Sequence, residues 1–310
     1  MAKQAVQLTK KNRTKFRFQK LKMCKKCNRY SVLKDHHCPT CGSTFVELDS
    51  LIKSIVRNKL FNEACLILIL VCIGIVGAPT VKTLYYSLIA GLVFCLLYVV
   101  LTFFYFKSEN FIQLKLLLRS DLSKIKSGIH YDTVLAEEEA RDNMLSMAYE
   151  KYREIGDFIL NDAIKLRQVK LLNDMILRSD MELEIEGLVP SGYDPDFVTY
   201  TLEAIKINRS LVTKKCIGYF VQFKEEVIRD FGMDSLITVA GTALRMKLYI
   251  MEFSEFIEEY LDYFPKERVL RLCSILHANP DINWGSLGDK TKSLVSVKYN
   301  YDPDFKRFVS

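Results

Sequence analysis

Residues 64–106 read ACLILILVCIGIVGAPTVKTLYYSLIAGLVFCLLYVVLTFFYF and carry one charged side chain, Lys82. A helix crossing a hydrocarbon core of about 30 Å needs about 20 apolar residues. Residues 84–106 meet that length without a formal charge. Residues 64–81 are interrupted by Gly74, Gly77, Pro79 and Thr80, and reach the length by starting near Leu60. Pro79 and Lys82 mark a tight turn between the two runs. The stretch predicts a transmembrane hairpin over residues 60–106, with spans at about 62–80 and 84–106.

The flanks of this block set an expected orientation. Residues 1–59 hold fifteen Lys or Arg, residues 107–126 hold five, and the turn holds only Lys82. Basic flanks stay on the cytoplasmic side, so both termini are expected there. Tyr85, Tyr86 and the aromatic cluster at 103–106 fall near the ends of the second run, where amphipathic rings settle at a membrane interface. The apolar interior has no Asp, Glu, His or Arg, which argues against an ion or proton path.

The formal charge of +7 hides an asymmetry. Residues 1–34 contain twelve Lys or Arg and no acid, whereas the rest of the chain has 32 basic against 37 acidic side chains. Lys10, Lys11, Arg13, Lys15, Arg17, Lys20 and Lys22 form a head expected to contact an anionic surface. Anionic lipid beside the anchor is the first reading. With Phe16 and Phe18 interleaved, a nucleic-acid backbone with stacked bases is the second. No apolar core of signal-peptide length precedes the cysteines, and the cysteine usage fits a reducing compartment.

Cys24-Lys25-Lys26-Cys27 and Cys38-Pro39-Thr40-Cys41-Gly42, ten residues apart, give the spacing C-x2-C-x10-C-x2-C. Two such pairs bring four thiolates to the corners of a tetrahedron, the arrangement a closed structural Zn²⁺ site prefers. Over residues 23–46 the chain resembles the zinc-ribbon, or rubredoxin-like knuckle, proteins. That resemblance implies a small β-rich module whose fold depends on metal, with Cys24, Cys27, Cys38 and Cys41 as ligands.

Asp35-His36-His37-Cys38-Pro39 also resembles the signature of the Asp-His-His-Cys protein S-acyltransferases. Carried over, the likeness implies Cys38 as the nucleophile that takes up an acyl chain and His37 as its base. That family has a second zinc site and a position between membrane spans, whereas here the module precedes the first span. Acylation of Cys38 would also remove one ligand from the thiolate set.

Beyond residue 110 the apolar spacing turns helical. Long helices are expected over about 145–177, 197–227 and 234–263, with a shorter one to Leu276, a loop at 279–288, and a strand or extended tail at 293–299. Tyr193-Asp-Pro-Asp-Phe197 recurs as Tyr301-Asp-Pro-Asp-Phe305, and both copies read as helix starts. Glu182, Glu184 and Glu186 alternate as a solvated face or a docking face for a basic partner.

The sequence thus predicts a mainly α membrane protein. It comprises a basic segment 1–22, a zinc ribbon 23–46, a hairpin 60–106 and a helical cytoplasmic domain 107–310. No small-molecule substrate is identified and no catalytic constellation stands out. The leading function is an adaptor or regulatory subunit that presents the helical domain to a protein partner. Nucleic-acid binding and S-acyl transfer through Cys38 are the alternatives.

Overall fold

The computed structural model describes residues 3–11 and 13–309. Residues 1, 2, 12 and 310, which belong to the expected basic segment and helical domain, lie outside the described residues. The chain is mostly helical, with one small sheet. It divides into two compact units, one formed by Asn12–Glu138 with Asp157–Ile159, the other by Met1–Lys11, Glu139–Gly156 and Leu160–Ser310. Residues 3–11 therefore belong with the helices of the second half, and residues 107–138 with the apolar hairpin.

In the hairpin unit β1 (Lys22–Cys24) pairs antiparallel with β2 (Tyr30–Ser31) on one side and β3 (Phe45–Glu47) on the other. Met23 stands opposite both Tyr30 and Val46. Leu21, Tyr30, Val32 and Leu48 are buried around this small sheet. The strand β3 runs directly into α1 (Leu48–Val76), and after a short turn α2 (Val81–Ser120) returns beside it. Thr80 closes the turn, because its hydroxyl accepts the Thr83 N–H while the Thr83 hydroxyl accepts the Thr80 N–H. The two helices approach closely where Gly91 faces Val71: a Cβ on Gly91 would stand 2.7 Å from Val71 Cγ1.

Both helices are long and apolar enough to cross a membrane. The rest of the described chain leaves their apolar windows uncovered, 0% buried in α1 and 6% in α2, so they are not the core helices of this fold. They outrun the expected spans at their shared open end, α1 starting at Leu48 and α2 continuing to Ser120. Beyond Asp121, α3 (Leu122–Arg141) leads toward the second unit's sequence.

The second unit is built from short helices: α4 (Leu145–Phe158), α5 (Asp162–Asn173), α6 (Pro195–Ile207), α7 (Lys214–Gln222), α8 (Lys224–Phe231), α9 (Met233–Ala243), α10 (Lys247–Glu252), α11 (Ser254–Tyr260), α12 (Lys266–His277), α13 (Gly285–Lys298) and α14 (Lys306–Val309). The expected long helices are thus broken. At 159–161 the side chain of Asn161 accepts the Ala163 N–H and starts α5. After α6, Asn208 accepts the Ser210 N–H and opens a 3₁₀ turn. The third expected helix breaks between Ala243 and Lys247 and again at Phe253. Apolar periodicity survives these breaks because successive short helices bury the same kind of face in one core; the local caps decide where each ends. Residues 293–299 lie largely in helix α13 rather than a strand. Leu287, Thr291 and Val295 are buried at four-residue spacing, a helical period.

Both Asp-Pro-Asp copies start helical turns. Asp194 accepts the Phe197 N–H at 2.8 Å with Pro195 at the first position of α6, and Asp302 accepts the Asp304 N–H at 3.1 Å. Phe197 and Phe305 are both fully buried, so each cap fixes the entry of a core aromatic. Asp194→Ala is expected to cost about 1 kcal/mol. Thermal unfolding followed by circular dichroism should show the midpoint fall by about 2–4 °C.

Candidate metal centre and its mounting

The two cysteine pairs fold as matching knuckles. In the first, the Asn28 N–H donates to Cys24 O and the Cys24 N–H to Arg29 O, each at 2.8 Å; in the second, the Gly42 N–H donates to Cys38 O and the Cys38 N–H to Ser43 O, again each at 2.8 Å. Asn28 (φ 57) and Gly42 (φ 69) occupy the left-handed region at equivalent positions. Such a turn suits glycine and asparagine better than other residues.

The knuckles bring four sulfurs together within 4.8 Å of one another. Cys24 and Cys41 Sγ are 3.4 Å apart, Cys27 and Cys38 3.5 Å, and Cys27 and Cys41 3.8 Å. Metal–sulfur bonds of about 2.3 Å in a tetrahedron require sulfurs about 3.8 Å apart, so the geometry is within metal-binding distance for four thiolates. The backbone N–H and hydroxyl of Ser43 hold the Cys41 thiol down to about 6, the direction that favours a thiolate. Desolvation among the neighbouring sulfurs pushes Cys27 up to about 12. A cation would replace the shared protons as the partner of this charge.

His36 and His37 are exposed beside the knuckle, with His37 bridged to Thr44. Cys38 is 1% exposed and lies inside the cluster.

The residues after Cys27 mount the centre on α3. The Arg29 guanidinium stacks 3.3 Å from the centre of the Tyr131 ring and donates to Thr40 Oγ1 at 2.7 Å, so it links both knuckles to the helix. Tyr30 is fully buried, and its hydroxyl donates to Asp121 at 2.7 Å. Its backbone rests against Gly128, where an added Cβ would stand 2.2 Å from Tyr30 O, so only glycine lets α3 come this close. Asp132, 1% exposed, accepts the Ser31 hydroxyl and the Val32 N–H, each at 2.9 Å, with Arg29 Nη2 3.6 Å away. Burial raises its carboxyl to about 6 despite these partners.

Sequence reasoning missed Arg29, Gly128 and Asp132. A glycine and an acid four residues apart in a helical pattern were the available signal, since such an acid lies on the glycine's face.

The basic head is divided. Lys11 donates to Glu184 at 2.7 Å and its N–H to Glu182 at 2.8 Å. The chain's own head therefore occupies part of the acidic face read above as either solvated or a docking face for a basic partner. Thr9 reaches Glu150 through both its N–H and its hydroxyl, and Gln4 exchanges backbone hydrogen bonds with Asp174 and Ile176. Lys20 is buried and paired with Asp157 at 2.6 Å, and Lys22 donates to Lys34 O at 3.4 Å. Lys10, Arg13, Lys15 and Arg17 are exposed. Lys15 lies over Phe16, which stacks on Phe18 at 5.4 Å.

No family model matches the chain, and no curated protein or solved structure is significantly similar to it.

Proposed function

We propose that the chain is a membrane-anchored adaptor. In this reading α1 and α2 span the bilayer, a structural Zn²⁺ held by Cys24, Cys27, Cys38 and Cys41 locks the module at the base of the hairpin, and the helical unit meets a protein partner on the cytoplasmic side. The carrying observation is that the long apolar helices are left uncovered while a four-cysteine centre is mounted through Arg29, Tyr30 and Asp132 on the same unit. Lipid supplies the missing cover in this reading, and the basic flanks support a cytoplasmic position for the module. With so small a sheet, the metal supplies most of the module's stability.

Purification of the intact chain from its membrane in mild detergent tests this reading. Resistance to alkaline extraction, about one zinc per chain and a stoichiometric protein partner are expected. Recovery in the soluble fraction, or a metal-free chain, would reject it.

Exposed Phe16, stacked on half-buried Phe18 among Lys15 and Arg17, favours nucleic acid as the second reading, because bases stack on such platforms. Salt-dependent retention on single-stranded nucleic acid, lost in Phe16→Ala, is its signature. S-acyl transfer requires hydroxylamine-sensitive acyl labelling that Cys38→Ser abolishes and Cys24→Ser retains; burial of Cys38 among three sulfurs argues for the structural role.

A further inference from the structure

Helix α2 is longer than a crossing needs. Over its last turns Phe111, Ile112 and Leu116 are 64%, 46% and 53% exposed, while Leu114 is buried. At about 100° per residue these three fall within one arc with Lys115 and Arg119, which are also exposed. The same arc continues upward through Phe104 and Tyr105 into the candidate span. Among the described residues neither Lys115 nor Arg119 has a partner, in contrast to Lys11 and Lys20 of the basic head.

From this continuity we infer that the α2 stalk, residues 107–120, lies in the headgroup layer of an anionic leaflet, with Phe111, Ile112 and Leu116 facing the acyl boundary and Lys115 and Arg119 meeting lipid phosphates. The inference rests on the membrane reading above. Length supports it: residues 81–116 extend about 54 Å at 1.5 Å per residue. A bilayer with its headgroups measures about 40–45 Å. A hairpin standing upright would leave the last apolar turns in water, whereas a tilted one lays this face along the headgroups. Lys and Arg interleaved with large apolar side chains fit that layer, since their stems cover apolar surface while their charges reach phosphate. The stalk thereby adds a second lipid-facing basic segment to the exposed cations of the head.

The sequence has one tryptophan, Trp284. In a Trp284→Phe background, Phe111→Trp places a reporter on the stalk and Phe94→Trp one on the candidate span. The full chain is reconstituted into phosphatidylcholine vesicles brominated near the headgroup end of the acyl chains, with and without phosphatidylserine. The Phe111→Trp emission is expected to be blue-shifted and quenched, more so with phosphatidylserine. Each cation near an anionic surface contributes about 1 kcal/mol, so Lys115→Gln with Arg119→Gln should weaken the stalk's contact about thirtyfold and relieve the quenching. Quenching at 94 with solvent-like emission at 111 overturns the stalk inference and leaves the spans standing. No quenching at either position, with deeper brominated lipids giving none, overturns the membrane reading itself. Unquenched but concentration-dependent blue-shifted emission at 111 assigns the face to a second copy, and also overturns the inference.

Discussion

Serine in place of Cys24 is expected to release the metal and unfold the three-stranded module. Cys24 sits in β1, fully buried, with its sulfur 3.4 Å from that of Cys41. Removing it leaves three thiolates crowded without a fourth ligand. The free energy that structural Zn²⁺ lends a small module is of order 10–16 kcal/mol, far more than the few core side chains around this sheet can replace. The variant should lose its stoichiometric zinc by a chromogenic chelator assay and become sensitive to protease between residues 22 and 47. Chelation of the wild type should produce the same fragments. Cys65→Ser, an exposed thiol outside the cluster, should retain zinc and resist cleavage. Protease resistance of Cys24→Ser would remove the metal from the account of this fold.

The second large effect falls on Asp132. Asp132→Ala leaves the Val32 N–H and the Ser31 hydroxyl buried without their acceptor and takes the carboxylate from beside Arg29. Breaking a buried charged network from one side costs about 3–5 kcal/mol, so the module should detach from α3 and open at lower denaturant. Asp132→Asn retains an acceptor of similar shape and should lose much less. This pair also defines a pH dependence. The folded carboxyl titrates at about 6 against 3.8 for a free aspartate, so the native state takes up a proton before the unfolded chain does. Stability from this group therefore rises as the pH falls through 6 and is lost above it. Between pH 7.5 and 5.5 the wild type should gain about 1 kcal/mol relative to Asp132→Asn in zinc-saturated buffer. Equal slopes for both proteins would show that Asp132 is not the group responsible.

The mostly helical chain, its small N-terminal sheet and the two long apolar helices were legible because they depend on local pattern. An apolar block with one charge excludes a soluble surface helix, and C-x2-C spacing forces knuckle turns whose backbone bonds close within five residues. The Asp-Pro-Asp starts were legible for the same reason, since a cap satisfies amides a few positions away. Helix breaks at Asn161 and Asn208 were harder to place because periodicity runs through them, while residues 293–299 hid a helical face whose burial only the packed unit shows.

What sequence alone determined was therefore the set of short-range devices: four thiols clustered within metal-binding distance, two long apolar helices and the caps. Tertiary structure decided which charges are used up. Lys11 is taken by Glu182 and Glu184, 171 and 173 residues away, and Lys20 by Asp157, 137 residues away. It also decided how the metal centre is held, because Gly128 and Asp132 acquire their meaning when Tyr30, Ser31 and Val32 arrive from about 100 residues upstream. Pairings over such separations depend on the burial that folding creates, which no local spacing encodes.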